Sequence, residues 1–213
     1  MTDWARFLPL SNRDRGDESS VSRNWSRATS GMLLGLAAVL DARPEVLAQP
    51  TLRPGTSVAE ATRELLVQLR SSRWQRAAAR IGAAESANAD VDALTDNELA
   101  DAVQAEALAR SAARARTSVR ELGDVLVLAL DLRASIGATI EVDPFVSGAV
   151  ALDLALRVRN PRRAVVTART LVAVDGHWQV GRGPALPATA AAIVLFLAGR
   201  GGVPAPVESA PEG

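Results

Sequence analysis

Any imidazole-based chemistry in this chain of 213 residues must use its one histidine, His177, and there is no lysine, cysteine or tyrosine to share the work. All 24 basic residues are arginine. These absences remove the P-loop lysine, Schiff-base chemistry, thiol nucleophiles, CxxC redox pairs, and thiolate or HExxH zinc sites together. Few enzyme classes remain. His177 directly follows Asp175-Gly176, a hairpin-turn signal, Ser147 is too distant in sequence to be set beside it, and no GxSxG elbow occurs; a surface turn residue is the better reading. Gly181-Arg182-Gly183 superficially matches a dinucleotide loop, but Leu186 holds the third glycine position, and Pro184 and Pro187 lack the N–H groups a phosphate cradle uses. It reads as a turn. Two arginine clusters, Arg70, Arg73, Arg76 and Arg80 around Trp74, and Arg110, Arg114, Arg116 and Arg120, have the forks to hold phosphate, carboxylate or RNA. Solvated helix faces are the plainer reading, since arginine near a helix C-terminus also suits the dipole.

The elements that would position these groups are mostly helical. Residues 21–42 set Trp25, Met32, Leu36, Val39 and Leu40 on one stripe, which Arg43-Pro44 ends. Pro54-Gly55 then makes a turn, and Ser57 with Glu60 forms a capping box that opens a second helix through Leu65 and Leu69 to about Ala84. Thr95 with Glu98, and Ser118 with Glu121, open a third helix through Leu99, Val103, Ala107 and Leu108, and a fourth through Leu122, Val125, Leu128 and Leu132. Four such helices with short loops argue for a bundle. Beyond Gly137, Asp143-Pro144 starts a short helix through Leu152 and Leu156. Ala164 to Val174 reads as a strand, Asp175-Gly176 as a two-residue hairpin, His177 to Gly181 as the return strand, and Ala188 to Leu197 as a closing helix. The expected organisation is a flexible N-terminus at 1–19, a four-helix bundle at 20–137, a small α+β element at 138–200 and a disordered tail at 201–213, mainly α overall.

Twenty-four acids balance the arginines, so the overall field points to neither nucleic acid nor an anionic membrane, and any basic patch must be local. Gly31 to Leu40 and Ala188 to Ala198 are too short to span a bilayer, and Met1 to Leu10 lacks the pattern of a secretory signal. A cytoplasmic location is the default expectation.

Three phrases in this order resemble one known group. Pro50 to Leu66 (PTLRPGTSVAEATRELL) resembles the stretch of mycothiol-dependent maleylpyruvate isomerase-like proteins in which a Pro-Gly-Trp-Thr turn opens a helix carrying a metal-binding histidine. Asp124 to Gly137 (DVLVLALDLRASIG) resembles their acid four residues before a second histidine, followed by Asp and a Leu-Gly turn. Trp178 to Arg200 resembles their Trp-x-Val-Gly strand, Gly-Pro turn and closing apolar helix. The resemblance covers roughly residues 20 to 200 and implies a DinB-like four-helix bundle with a small C-terminal element. It also implies actinobacterial, thiol-linked chemistry.

The same alignment shows where the chain departs. Glu64 stands where the first histidine is expected, Asp124 where Glu is usual, Leu128 where the second histidine belongs, and Thr56 where the turn has tryptophan. The resemblance therefore implies Glu64 and Asp124 as remnant metal positions, suited to a weak divalent ion completed by water rather than to zinc. Glu64 reads equally well as an arginine-paired surface residue, and Asp131 as a partner for Arg133 or another bundle arginine. The expected function is a divergent maleylpyruvate isomerase-like protein with a degenerate metal site and weak or no metal-dependent catalysis. No tightly bound cofactor is expected. Its ligand would be a small thiol or other small molecule, without nucleic acid or membrane, and a homo-oligomer is compatible. The alternative is a non-catalytic helical binding or assembly module whose arginine-rich faces take an anionic ligand or partner.

Overall fold

The computed structural model describes residues 24–71, 89–112 and 117–207. The ends at 1–19 and 208–213, the continuation of the second helix beyond Ser71, and Trp74 with Arg73, Arg76, Arg80, Arg114 and Arg116 lie outside the described residues. Four helices form the bundle. The first, α1 (Ser26–Ala42), buries Met32, Leu33, Leu36, Ala37 and Leu40 at three-four spacing, and ends where Arg43 leaves the helical region before Pro44. A 3-10 turn at Pro44–Ala48 leads to α2 (Val58–Arg70). There the capping box forms as expected: the Ser57 hydroxyl accepts from the Glu60 N–H at 3.2 Å, and the Glu60 carboxylate accepts from the Ser57 N–H at 2.8 Å. The third helix, α3 (Asp96–Ala112), is opened by the Glu98 carboxylate accepting from the Thr95 N–H at 2.8 Å, and α4 (Val119–Ile136) by the reciprocal Ser118 and Glu121 box. α1 and α2 each pack on both α3 and α4.

α4 has almost no solvent face. Leu122, Gly123, Val125, Leu126, Leu128, Ala129, Leu130, Asp131 and Leu132 are all buried, because the bundle covers one side and the C-terminal elements cover the other. Those elements begin with α5 (Pro144–Arg157), where the Asp143 carboxylate accepts from the Phe145 N–H at 2.7 Å and proline takes the first turn. The predicted strand from Ala164 is corrected here. Residues Arg162–Ala168 form a helix, α6, and the strand is shorter, β1 (Thr170–Ala173). β-Branched Val165, Val166 and Thr167 suggest a strand, but the Thr167 hydroxyl bonds back to the Arg163 and Ala164 carbonyls, satisfying itself within the helix.

β1 pairs antiparallel with β2 (Trp178–Gly181), with Ala173 opposite Trp178, so the connection is the four residues Val174 to His177 rather than a two-residue turn. His177 sits in that turn at φ 54° instead of starting the return strand. A third strand, β3 (Ala185–Ala188), pairs parallel with β1 and gives the order β2-β1-β3. Its Pro187 hides it from a sequence reading, yet a proline is tolerated on an edge. α7 (Ala190–Ala198) closes the lobe, capped by Thr189. Trp178 joins hairpin to α5: its ring lies so close to Gly148 that a Cβ there would sit 2.9 Å away, and its indole N–H donates to the Ser147 hydroxyl at 3.0 Å. The chain is mainly α with a small three-stranded sheet.

The caps make stability respond to acid. The Ser57 backbone N–H holds the Glu60 carboxyl below its ordinary value, and the Thr95 hydroxyl does the same for Glu98. A lowered folded pKa stabilises above the ordinary glutamate range, and that contribution is lost as pH falls through the folded value. Urea unfolding of parent and E60Q/E98Q is expected to show the variant less stable at pH 7 and less sensitive to acidification; parallel pH curves would contradict the assignment.

Candidate functional site

α2 and α4 run side by side, and the four-residue spacing from Asp124 to Leu128 sets both on the α4 face toward α2. Glu64, Asp124, Leu128 and Asp131 accordingly line one cleft of about 200 Å³, with Arg157 of α5 and Arg200 after α7 on its far wall. The sequence alignment thus brings its three positions together. What fills the space around them differs from a ligand set.

Arg53 reaches in from the turn before α2. That turn is fixed by the Thr51 N–H donating to the Thr56 carbonyl at 2.9 Å and by the Val58 N–H donating to the Gln49 carbonyl at 2.9 Å. The Arg53 guanidinium donates from Nε to the Thr56 hydroxyl at 2.7 Å and from both terminal nitrogens to the two Glu64 carboxylate oxygens, one at 2.6 Å. The Glu64 carboxylate raises the Arg53 pKa above its ordinary value. Both Glu64 oxygens are therefore committed to a fork that suits carboxylate geometry. Leu128 is buried and contributes no donor atom.

Asp131 is the most deeply enclosed acid of the cleft, only 2% exposed. Its Oδ1 accepts from the Leu52 N–H at 2.7 Å, and its Oδ2 faces the Arg200 Nε at 4.0 Å. The expected bundle partner is corrected. Arg133 is exposed, and the arginine that meets Asp131 comes from beyond α7. On the outer wall Arg157 pairs with Asp153 one helical turn earlier, and burial together with nearby Arg120 lowers its pKa, partly opposed by Asp124. Among the described residues no three His, Cys, Asp or Glu side chains gather as a metal-binding group.

The other sequence candidates fare differently. Ser147 accepts from the Trp178 indole N–H at 3.0 Å and donates to the Pro144 carbonyl at 2.9 Å, while His177 is exposed in the turn between β1 and β2. Arg110 meets Glu106 at 3.1 Å and the Leu69 carbonyl at 3.0 Å, and Arg70 meets Glu106 at 3.8 Å, so both tie helices together. A wider open groove of about 1360 Å³ escaped the sequence reading; Trp25 and Phe145 lie in it with ring centroids 5.6 Å apart.

No family model matches the chain, and no curated protein matches it. A crystal structure of the mycothiol-dependent maleylpyruvate isomerase is similar over 85% of this chain and 93% of that chain, at 13% identity and a TM-score of 0.46. Among the described residues no helix is long and apolar enough to cross a membrane.

Removing the enclosed carboxylate should be costly. Asp131→Leu leaves the Leu52 N–H without its acceptor and the Arg200 guanidinium without the carboxylate it faces, at about 1–3 kcal/mol for such a loss. Urea unfolding should show that drop for Asp131→Leu and less than about 1 kcal/mol for Glu64→Gln, whose pair is half exposed. Equal effects would mean that the cleft's interior and rim are not energetically distinct.

Proposed function

We propose that this chain is a divergent DinB-like, maleylpyruvate isomerase-like protein whose metal site has been replaced by an ion-pair network. One observation carries the reading. Two positions that depart from the family phrase, Thr56 for tryptophan and Glu64 for histidine, are the two residues that hold the Arg53 guanidinium. Together they give Arg53 a place in the cleft, while Leu128 supplies apolar bulk where a second imidazole would be. Support also comes from the three phrases and from the meeting of Glu64, Asp124 and Leu128 in one cleft. A transition metal needs about three protein ligands with an open position. Glu64, both of its oxygens engaged by Arg53, does not fit that role.

On this reading any divalent ion is held weakly, and the cleft serves small-molecule or thiol-linked binding rather than metal-dependent isomerisation. The arginine-face alternative loses ground at Arg70 and Arg110, which are engaged within the bundle.

Restoring the family's donors tests the proposal. E64H/L128H would return two imidazoles to the cleft beside Asp124, the ligand count of a zinc or nickel site. Calorimetric titration with zinc is expected to show saturable one-to-one binding, and thermal stability rising with metal, in the double variant and not in the parent. Tight one-to-one zinc binding by the parent would overturn the proposal. A folded double variant that binds no better than the parent would show that the phrases are misaligned.

A further inference from the structure

The zero net charge conceals a separation of sign along the chain. Residues 89–109 hold six carboxylates and no arginine, whereas residues 157–207 hold seven arginines and one acid, Asp175. The two blocks belong to different lobes: α3 packs on α1 and α2, while α6 packs on the sheet.

Three of the seven arginines are accounted for. Arg157 pairs with Asp153, Arg200 with Asp131, and Arg162 lies under Gly199 at the C-terminal end of α7, where unpaired carbonyls favour a cation. The sole acid is also engaged, since Asp175 accepts from the Ala190 N–H at 2.6 Å. Arg159, Arg163, Arg169 and Arg182 remain, and none of them makes an ion pair among the described residues. Their backbones gather around α6, a helix about 10 Å long. The Arg163 N–H donates to the Arg159 carbonyl at 3.0 Å, the Arg169 N–H to Val165 at 2.8 Å, and the Arg182 N–H to Val166 at 2.9 Å. The Gly181-Arg182-Gly183 turn makes that approach possible: at φ 104° and against the Arg169 carbonyl, residue 181 has no room for a Cβ. All four arginines are exposed, whereas Arg162 is half-buried, and grouping like charges without an acid among them raises the energy of the free surface.

The opposing block mirrors this. Asp96 is paired with Arg63, and Glu106 with Arg70 and Arg110, while exposed Asp90, Asp92, Glu98 and Asp101 form no ion pair among the described residues. Each block is flanked by an exposed leucine, Leu108 at 55% on the acidic side and Leu156 at 79% on the basic side. We propose that copies of this chain associate with the Arg159, Arg163, Arg169 and Arg182 surface of one against the Asp90 to Asp101 surface of another. Charge complementarity within one sequence identifies the occupant. A nucleic acid fits less well, because Trp178 of the adjoining strand is packed onto Gly148 and bonded to Ser147 rather than presented for stacking, and the acidic block repels phosphate.

Sedimentation at ionic strengths of about 0.01 M and about 1 M, where the Debye length is roughly 30 Å and 3 Å, provides the test. The parent is expected to sediment as two or more chains at low salt and as one chain at high salt. R163E/R169E and D92R/D101R, each with unchanged circular dichroism, should fall to one chain at low salt, and the variant carrying all four reversals should associate again. A parent that stays a single chain at low salt overturns the proposal, as does undiminished low-salt association of R163E/R169E or of D92R/D101R on its own. Salt-sensitive binding of duplex RNA by a monomeric parent, lost in R163E/R169E, would overturn it in favour of a nucleic-acid partner.

Discussion

A carboxylate enclosed at the centre of the molecule sets the terms for its surroundings. Asp131 lies on the one helix that both lobes cover, and a buried polar group in that position is tolerated only with partners. They arrive from two distant parts of the chain: the Leu52 N–H, 79 residues earlier, and the Arg200 guanidinium beyond the closing helix. The first anchors the turn that carries Arg53, and the second anchors the chain as it leaves α7. Arg53 then has only to reach from its fixed turn to Glu64. The cleft thus follows from where the partners of one buried side chain come from, and its rim is organised from its floor.

Local chemistry was legible wherever the signal and its partner lie within a few residues. Ser57 with Glu60, and Ser118 with Glu121, announce helix starts because both halves of each cap are four positions or fewer apart. The convergence of Glu64, Asp124 and Leu128 was legible through resemblance and helical spacing together. Two local elements were not. Val165, Val166 and Thr167 carry strand propensity that their context overrides, and β3 is disguised by Pro187 at an edge where the missing N–H is harmless. Arg53 and Arg200 were missed for a different reason. Nothing in an arginine's neighbours says which distant carboxylate it will meet, so both pairings exist only once the helices have docked.

On the proposed reading, the Arg53 fork bonded to Glu64 would stand in for the family's metal contacts, and Leu128 would take the volume of its second imidazole. Such a pair near the surface adds little to stability. Its effect is on what else can enter, since a carboxylate already bound on both oxygens offers an incoming ligand only competition.

The enclosure of α4 has a temporal counterpart. Amide protons near a frayed end or a loop exchange with solvent through small openings, whereas those in the middle of a helix covered on every side have no such route. Around Leu126 to Leu130, access to water requires the bundle or the C-terminal lobe to come away first, so this short stretch keeps time for the whole chain. Its protons should be the last to be replaced, and their lifetime measures how rarely the two lobes part.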